Sequence, residues 1–312
     1  MIRAFFREIW TWASFVKLSH TIFALPFALA SMIVAARHDL GWPGWRKFLL
    51  ILVCMVGART CAMAFNRIVD RRFDRQNPRT SGRHLPSGTI GLASAWTLCA
   101  MAAGIFVAGT YFLNTVCFVL SPVALGVVCF YSLTKRFTDF SHFYLGAALA
   151  LAPVGAWLAV RGNFHFLPIL DGALLPSILG LAVVFWLIGF DIIYALQDYE
   201  FDRQHGLHSL VVRWGPKNAL EAAFLSHLLM WGLLFVFGLL SRFRVAYFTG
   251  LLIILLCLML EHWLARRRSL NWIQNAFFRL NGLISLVFLA VTAAEVVFPR
   301  YGRIFMQSGT AG

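Results

Sequence analysis

The chain contains 13 acidic residues, and six of them fall in two short clusters. The first cluster reads Asn66-Arg67-Ile68-Val69-Asp70-Arg71-Arg72-Phe73-Asp74. On a helix, Asn66, Asp70 and Asp74 stand at i, i+4 and i+8, drift by only ~40° per step and share a face. The second cluster holds Asp191, Asp198, Glu200 and Asp202. Asp198 and Asp202 repeat the i, i+4 spacing, and Asp191 precedes Asp198 by about two helical turns on the same face. Like charges at i, i+4 destabilise a helix, so doing this twice calls for a compensating cation. Carboxylate and amide oxygens are hard ligands suited to Mg²⁺, which is typically held by one or two carboxylates plus substrate phosphates. Two such faces brought together can hold two ions with a diphosphate bridging them. Arg67, Arg71, Arg72, Arg75, Lys135 and Arg136 can supply charge for the remaining phosphate oxygens. The plainer alternative is a set of solvated loop acids balanced by neighbouring arginines. The repetition of the pattern, each time at the end of an apolar run, favours the site.

The elements that must carry these residues follow from composition. The 312 residues are 60% hydrophobic and 13% charged, with a mean hydropathy of +0.75. Ordinary soluble domains are about 45–50% apolar and about 25% charged. The natural solvent is therefore a bilayer, and nucleic-acid-binding classes are excluded despite a net charge of +14. Runs of ~20 apolar residues mark spans, and nine are found: 18–36, 47–65, 92–112, 114–133, 140–160, 172–194, 218–240, 244–264 and 280–298. Backbone groups in lipid must be satisfied within the segment, so these are helices. The expected fold is all-α, one domain over 1–312, with two polar loops at 66–91 and 195–217. Placing the N-terminus in the cytoplasm puts 18 Lys and Arg residues on the cytoplasmic side against eight opposite, as the positive-inside rule requires. The C-terminus then lies outside, and the basic face suits anionic lipid headgroups. The N-terminus lacks the pattern of a cleaved signal peptide. The six cysteines lie in apolar stretches without a CxxC pair and read as small hydrophobes.

The sequence resembles the UbiA superfamily of intramembrane prenyltransferases. NRIVDRRFD (66–74) and DYEFD (198–202) are similar to that family's NxxxDxxxD and DxxxD motifs. The likeness continues in KLSHTIFALPFALA (17–30), NPRTSGRHLPSG (77–88), YSLTKRFT (131–138), LGAALALAPVGAWLAV (145–160) and GFDIIYALQDYEFDRQHGLHSL (189–210). The resemblance implies a nine-helix bundle around a polar chamber near the cytoplasmic face. The implied activity is Mg²⁺-dependent transfer of a polyprenyl group from its diphosphate to an aromatic acceptor, within ubiquinone or menaquinone biosynthesis. By motif position, Asn66, Asp70, Asp74, Asp198 and Asp202 are the metal–diphosphate residues. Lys135 and Arg136 match the family's basic position facing the diphosphate. IFALPFA, DIIYALQD and GLHSL look closest to the 4-hydroxybenzoate polyprenyltransferases and the futalosine-route menaquinone enzymes. Ser19, where the latter often carry Glu, weighs against that branch.

Within this frame, metal and basic residues stabilise charge on the departing diphosphate, and aromatic faces shield the allylic cation. Asp70 and Asp198 are the acids on which turnover should depend most. Asp191 is placed either to orient or deprotonate the acceptor or to make a helix contact. Tyr194 either lines the same wall or packs. His20 either binds the acceptor's polar group or is a structural partner, and Arg59 either meets an acid or the diphosphate. Other family acceptors, such as haem, chlorophyll or lipid, remain as alternatives. A cation- or proton-coupled transporter would instead place its acids near the bilayer midplane.

Overall fold

The computed structural model describes residues 2–17, 21–165, 167–267 and 277–298. Among these residues there is no strand. The helices are α1 (Ile2–Phe15), α2 (Thr21–Ala35), α3 (Trp45–Gln76), α4 (Leu92–Leu113), α5 (Thr115–Phe130), α6 (Ser141–Arg161), α7 (Leu174–Ala195), α8 (Tyr199–Gln204), α9 (Leu210–Leu240), α10 (Val245–Arg267) and α11 (Phe278–Val297). Eight are long and apolar enough to cross a membrane. The ninth, α2, stands where the first span was expected but has 15 residues, or ~22 Å of helix against a hydrocarbon core of ~30 Å.

Several boundaries depart from the sequence expectation. The second apolar run covers 47–65, yet α3 continues unbroken to Gln76. The first motif is therefore helical rather than part of a loop starting at 66. Helix α9 starts at Leu210, eight residues before the expected span, and bends at Gly215, whose φ of +78° precedes Pro216. A proline interrupts the intrahelical hydrogen bonds, and glycine takes positive φ without strain. Helix α1 was not anticipated. Its end is anchored by Phe15 and Val16, buried against Cys61, Ala64 and Ile68 of α3, and by a 3.0 Å hydrogen bond between Ser14 Oγ and His84 Nε2.

Helix α7 forms the centre of the bundle: 67% of its apolar stretch is buried, against 17% for the span containing α5. Its Trp186 packs on Phe23 and Phe27 of α2, and Phe27 stacks on Phe288 of α11. The outer faces of α4 and α5 expose Met101, Ile105, Phe112, Val119 and Val123, as a lipid-facing surface would. Lipid tails are as apolar as these side chains, so helix pairing in a membrane rests on close packing and interhelical hydrogen bonds. Both are present. A Cβ at Gly189 of α7 would clash with the His227 ring of α9. Across α7, α9, α10 and α11, Trp186 Nε1 donates to Asn281 Oδ1 (2.8 Å) and Asn281 Nδ2 to Glu261 Oε2 (2.9 Å). His227 lies 2.9 Å from His262 through Nδ1, and 3.2 Å from the Trp186 carbonyl through Nε2. Glu261 and Asn281 are fully buried.

All six cysteines are free thiols, as their apolar settings suggested. Trp42, Trp45 and Phe48 cluster at the start of α3, an aromatic group of the kind found at membrane interfaces.

Candidate active site

A cavity of about 560 Å³ opens between α2, α3, α4, α5, α6 and α7. Its charged end takes side chains from four places. Helix α3 contributes Asn66, Asp70 and Asp74 from one face, the loop after it Asn77, Arg79 and Arg83, and a 3₁₀ turn at Tyr131–Arg136 contributes Lys135 and Arg136. Asp191, Tyr194, Asp198 and Asp202 come from α7 and the segment that follows it. Beyond this end the wall is apolar, with Ile51, Met55, Phe106, Leu120, Leu149 and Leu158. Asn66 and Ile51 are 15 residues apart on α3, so this arm runs ~22 Å along the bundle.

The second acidic motif reaches the cavity by a different local structure from the one expected. Instead of a continuous helix, Leu196–Asp198 forms a 3₁₀ turn and α8 then restarts the helix. The tighter turn re-aims Asp198 and Asp202 toward the charged end, with side chains only 10% and 5% exposed.

Each motif acid has a cationic partner. Asp70 accepts from Asn66 Nδ2 (2.9 Å) and from Arg136 Nη2 (3.1 Å). Asp74 accepts from Arg83 Nη1 (2.6 Å), with Arg67 Nη1 4.0 Å away. Asp198 accepts from Asn77 Nδ2 (3.0 Å) and Arg79 Nε (2.8 Å), and Arg79 Nη2 holds its second oxygen. Lys135 Nζ stands 3.8 Å from Asp202 Oδ2. Arg79 also donates to the Tyr194 hydroxyl (3.0 Å) and lies over that ring. Burial alone would lower the Arg79 pKa, but its hydrogen bonds to Asp198 carry it above the ordinary guanidinium range. Lys17, at the rim, is pushed below its ordinary value by burial and by the like charges of Arg67, Arg83 and Arg79.

The cavity brings together most of the residues singled out from sequence: Asn66, Arg67, Asp70, Asp74, Lys135, Arg136, Asp191, Tyr194, Asp198 and Asp202. Arg71, expected to meet the diphosphate, is not among the lining residues; one residue on from Asp70, it is turned ~100° away around the helix. Arg59 lines the cavity and donates to the Lys17 carbonyl rather than to an acid. His20 lies outside the described residues. Sequence reasoning gave no role to Asn77, Arg79, Arg83 or His142. The first three stand in the NPRTSGR segment, whose polarity beside two aspartates was an available signal. His142 had none.

His142 is fully buried on the first turn of α6 and lies 2.7 Å from Asp191 Oδ2. A close approach of α6 and α7 makes this contact possible. One turn on from His142, a Cβ at Gly146 would come within 2.7 Å of the Val184 carbonyl oxygen, a backbone atom that cannot swing aside. Gly146→Ala should therefore force the helices apart and cost ~1–3 kcal/mol, read as a lower thermal midpoint in detergent. An unchanged midpoint would contradict the packing.

Among the described residues, no group of three or more His, Cys, Asp or Glu side chains is placed to hold a metal ion. Asp74 Oδ2 and Asp202 Oδ2 are nonetheless buried without hydrogen-bond partners. Such a donor set fits a hard cation whose remaining ligands come from water and substrate phosphate.

The fold and cavity together define a polytopic membrane protein whose interior joins an acid–base headgroup site to an apolar arm. A model of the UbiA prenyltransferase family matches residues 24–283. The 4-hydroxybenzoate octaprenyltransferase of Paraburkholderia phytofirmans is 30% identical over 256 residues, covering 81% of this chain and 85% of that protein. The enzyme of the same description from Francisella tularensis is 28% identical over 269 residues, covering 86% and 89%. Among solved structures, the apo form of a UbiA homolog from Aeropyrum pernix superposes with a TM-score of 0.78 at 31% identity, covering 88% of this chain and 96% of that one. A UbiA homolog from Archaeoglobus fulgidus, bound to DMAPP and Mg²⁺, shares the fold with a TM-score of 0.67 at 20% identity, covering 92% and 99%. The chain belongs to the UbiA prenyltransferase family, and it is an integral membrane prenyltransferase.

Proposed function

We propose that this enzyme transfers a polyprenyl group from its diphosphate to a phenolic acid of the 4-hydroxybenzoate type, or to a related hydroxynaphthoate, with Mg²⁺ as cofactor, in quinone biosynthesis. One observation carries the reading. The motif acids Asp70, Asp74, Asp198 and Asp202 converge on one cavity, each matched by a cation, and that cavity continues into an apolar arm. A magnesium–diphosphate headgroup has the complementary charges. The carboxylates can turn to the metal and the guanidinium and ammonium groups to phosphate oxygens. Seven basic and five acidic residues line the cavity, and the excess favours an anionic ligand.

Asn66, Asp70, Asp74, Asp198 and Asp202 would hold the metal, which supplies positive charge to the diphosphate when bound. Lys135, Arg136, Arg79 and Arg83 stabilise the charge that develops as the C–O bond breaks. Phe23, Phe190, Tyr194 and Phe278 form a contiguous aromatic wall that can shield an allylic cation through its π faces. The tail extends along the apolar arm. The relatives' names support a 4-hydroxybenzoate-type acceptor. We assign the whole of 1–312 to one domain, with the N-terminus cytoplasmic and the acidic site facing the cytoplasm in a prokaryotic inner membrane.

The test is a reconstitution of the full chain in lipid nanodiscs with labelled geranyl diphosphate, 4-hydroxybenzoate and Mg²⁺. Prenylated acid is expected, lost on adding EDTA and restored by excess Mg²⁺. No product from any phenolic or naphtholic acceptor would overturn the reading.

A further inference from the structure

We propose that His142 is a positioning residue for the acceptor half of the reaction. In this role it hydrogen-bonds one oxygen of Asp191 and aims the other at the acceptor hydroxyl. The inference rests on the phenolic-acceptor reading above and goes beyond it by naming the groups that handle the acceptor's proton.

The geometry is asymmetric. His142 is 0% exposed, does not line the cavity and contacts Asp191 through Nδ1 alone; its Nε2 is buried without a partner. Asp191 does line the cavity and spends only Oδ2 on His142. With a proton on Nδ1, the imidazole donates to the Asp191 carboxylate across the 2.7 Å contact. A hydrogen bond from a fixed donor sets the orientation of the carboxylate. Oδ1 is left for a ligand beside Phe190 and Tyr194, members of the aromatic wall on the same helix.

The step balances as follows. The acceptor hydroxyl gives its proton to Asp191 Oδ1 as the ring carbon bonds to the prenyl carbon. The prenyl C–O bond breaks, and its electron pair leaves with diphosphate. The proton on the alkylated ring carbon then passes to diphosphate, and Asp191 returns its own proton to the ring oxygen. Per turnover, one C–C bond forms, one C–O bond breaks and one proton leaves with diphosphate.

The experiment compares wild type, His142→Leu and His142→Asn as full-length protein in nanodiscs. The donor is geranyl diphosphate, and the acceptors are 4-hydroxybenzoate and its ring-fluorinated analogues, whose hydroxyls ionise more readily. General-base assistance is worth ~10²–10⁴-fold, and losing the group that positions the base should forfeit on the order of 30-fold in kcat with 4-hydroxybenzoate. The KM for geranyl diphosphate should stay the same. The ratio of wild-type to His142→Leu rates should shrink along the fluorinated series, because those acceptors need less help. His142→Asn, whose amide can donate from nearly the Nδ1 position, should recover most of the rate. A ratio that stays constant along the series, or a His142→Leu rate equal to wild type, would overturn the proposal. If His142→Leu does not fold, Asp191→Asn is read in the same way, and a constant ratio there is equally fatal. Wild-type protein that prenylates none of these acceptors would instead sink the phenolic-acceptor reading itself.

Discussion

Replacing Asp70 or Asp198 with asparagine is expected to lower kcat/KM by ~1,000-fold, about 4 kcal/mol of transition-state stabilisation, while the protein still folds. At Asp70 the substitution keeps the shape and removes the charge facing Arg136. That pair is about one-third exposed on both sides, so its loss should cost less than ~1 kcal/mol of stability. At Asp198 the asparagine oxygen can still accept from Asn77 or Arg79, but the negative charge is gone. Both variants should need more Mg²⁺ for half-maximal rate, a shift that a fold defect would not produce. Initial rates with labelled geranyl diphosphate across a Mg²⁺ titration measure this. Near-normal turnover in both variants would remove the metal role from these residues.

The second large effect is expected at Arg79, the one loop residue that touches Asp198 through two nitrogens and Tyr194 through a third. Arg79→Leu leaves Asp198, with its side chain 10% exposed, holding only the Asn77 amide. Breaking a buried ion pair from one side costs ~3–5 kcal/mol. Arg79 itself is 25% exposed, so ~2 kcal/mol is the expected loss of stability. Activity should fall ~100-fold, as for removal of a donor to a developing oxyanion. Lysine should not restore it, because one ammonium cannot reproduce the planar fork. The double variant Arg79→Leu/Asp198→Asn separates the two effects. Removing both charges should return most of the stability, read as the thermal midpoint, and none of the activity. Recovery of both would show that Arg79 serves the fold alone.

Much of this was legible in the chain before any coordinates. Long apolar runs that cannot satisfy their backbones except as helices give the bundle, and the two acid clusters mark its charged end. The i, i+4, i+8 spacing of Asn66, Asp70 and Asp74 survives unchanged because α3 continues to Gln76. The second cluster was harder. No glycine or proline marks the 3₁₀ break at Leu196–Asp198, so the same spacing arithmetic suggested a continuous helix. Arg71 shows the limit of composition: an arginine inside the motif can point away from the site, while Arg79, beyond the helix end, reaches into it. His142 was invisible because its role depends on α6 and α7 meeting at Gly146, a tertiary fact between segments about 40 residues apart. Helix α1 carries Arg3, Arg7 and Glu8 within its 14 residues, and these charges deny it the unbroken apolar run that marks a span.

The hydrogen-bonded chain Trp186–Asn281–Glu261 bears on how the enzyme is made. Greasy helices in a bilayer can slide past one another at little cost, so directional bonds must act as registration pins. Three of the four helices these residues and the His227–His262 pair join reach the bilayer before the fourth is synthesised, and Asn281, which closes the chain, sits on that last helix. Until α11 arrives, Glu261 has no amide to meet its carboxylate and Trp186 no oxygen for its indole N–H. A chain without α11 would leave Glu261 facing only His227, 3.9 Å away on α9, so the arrival of the fourth helix is what completes the set of pins.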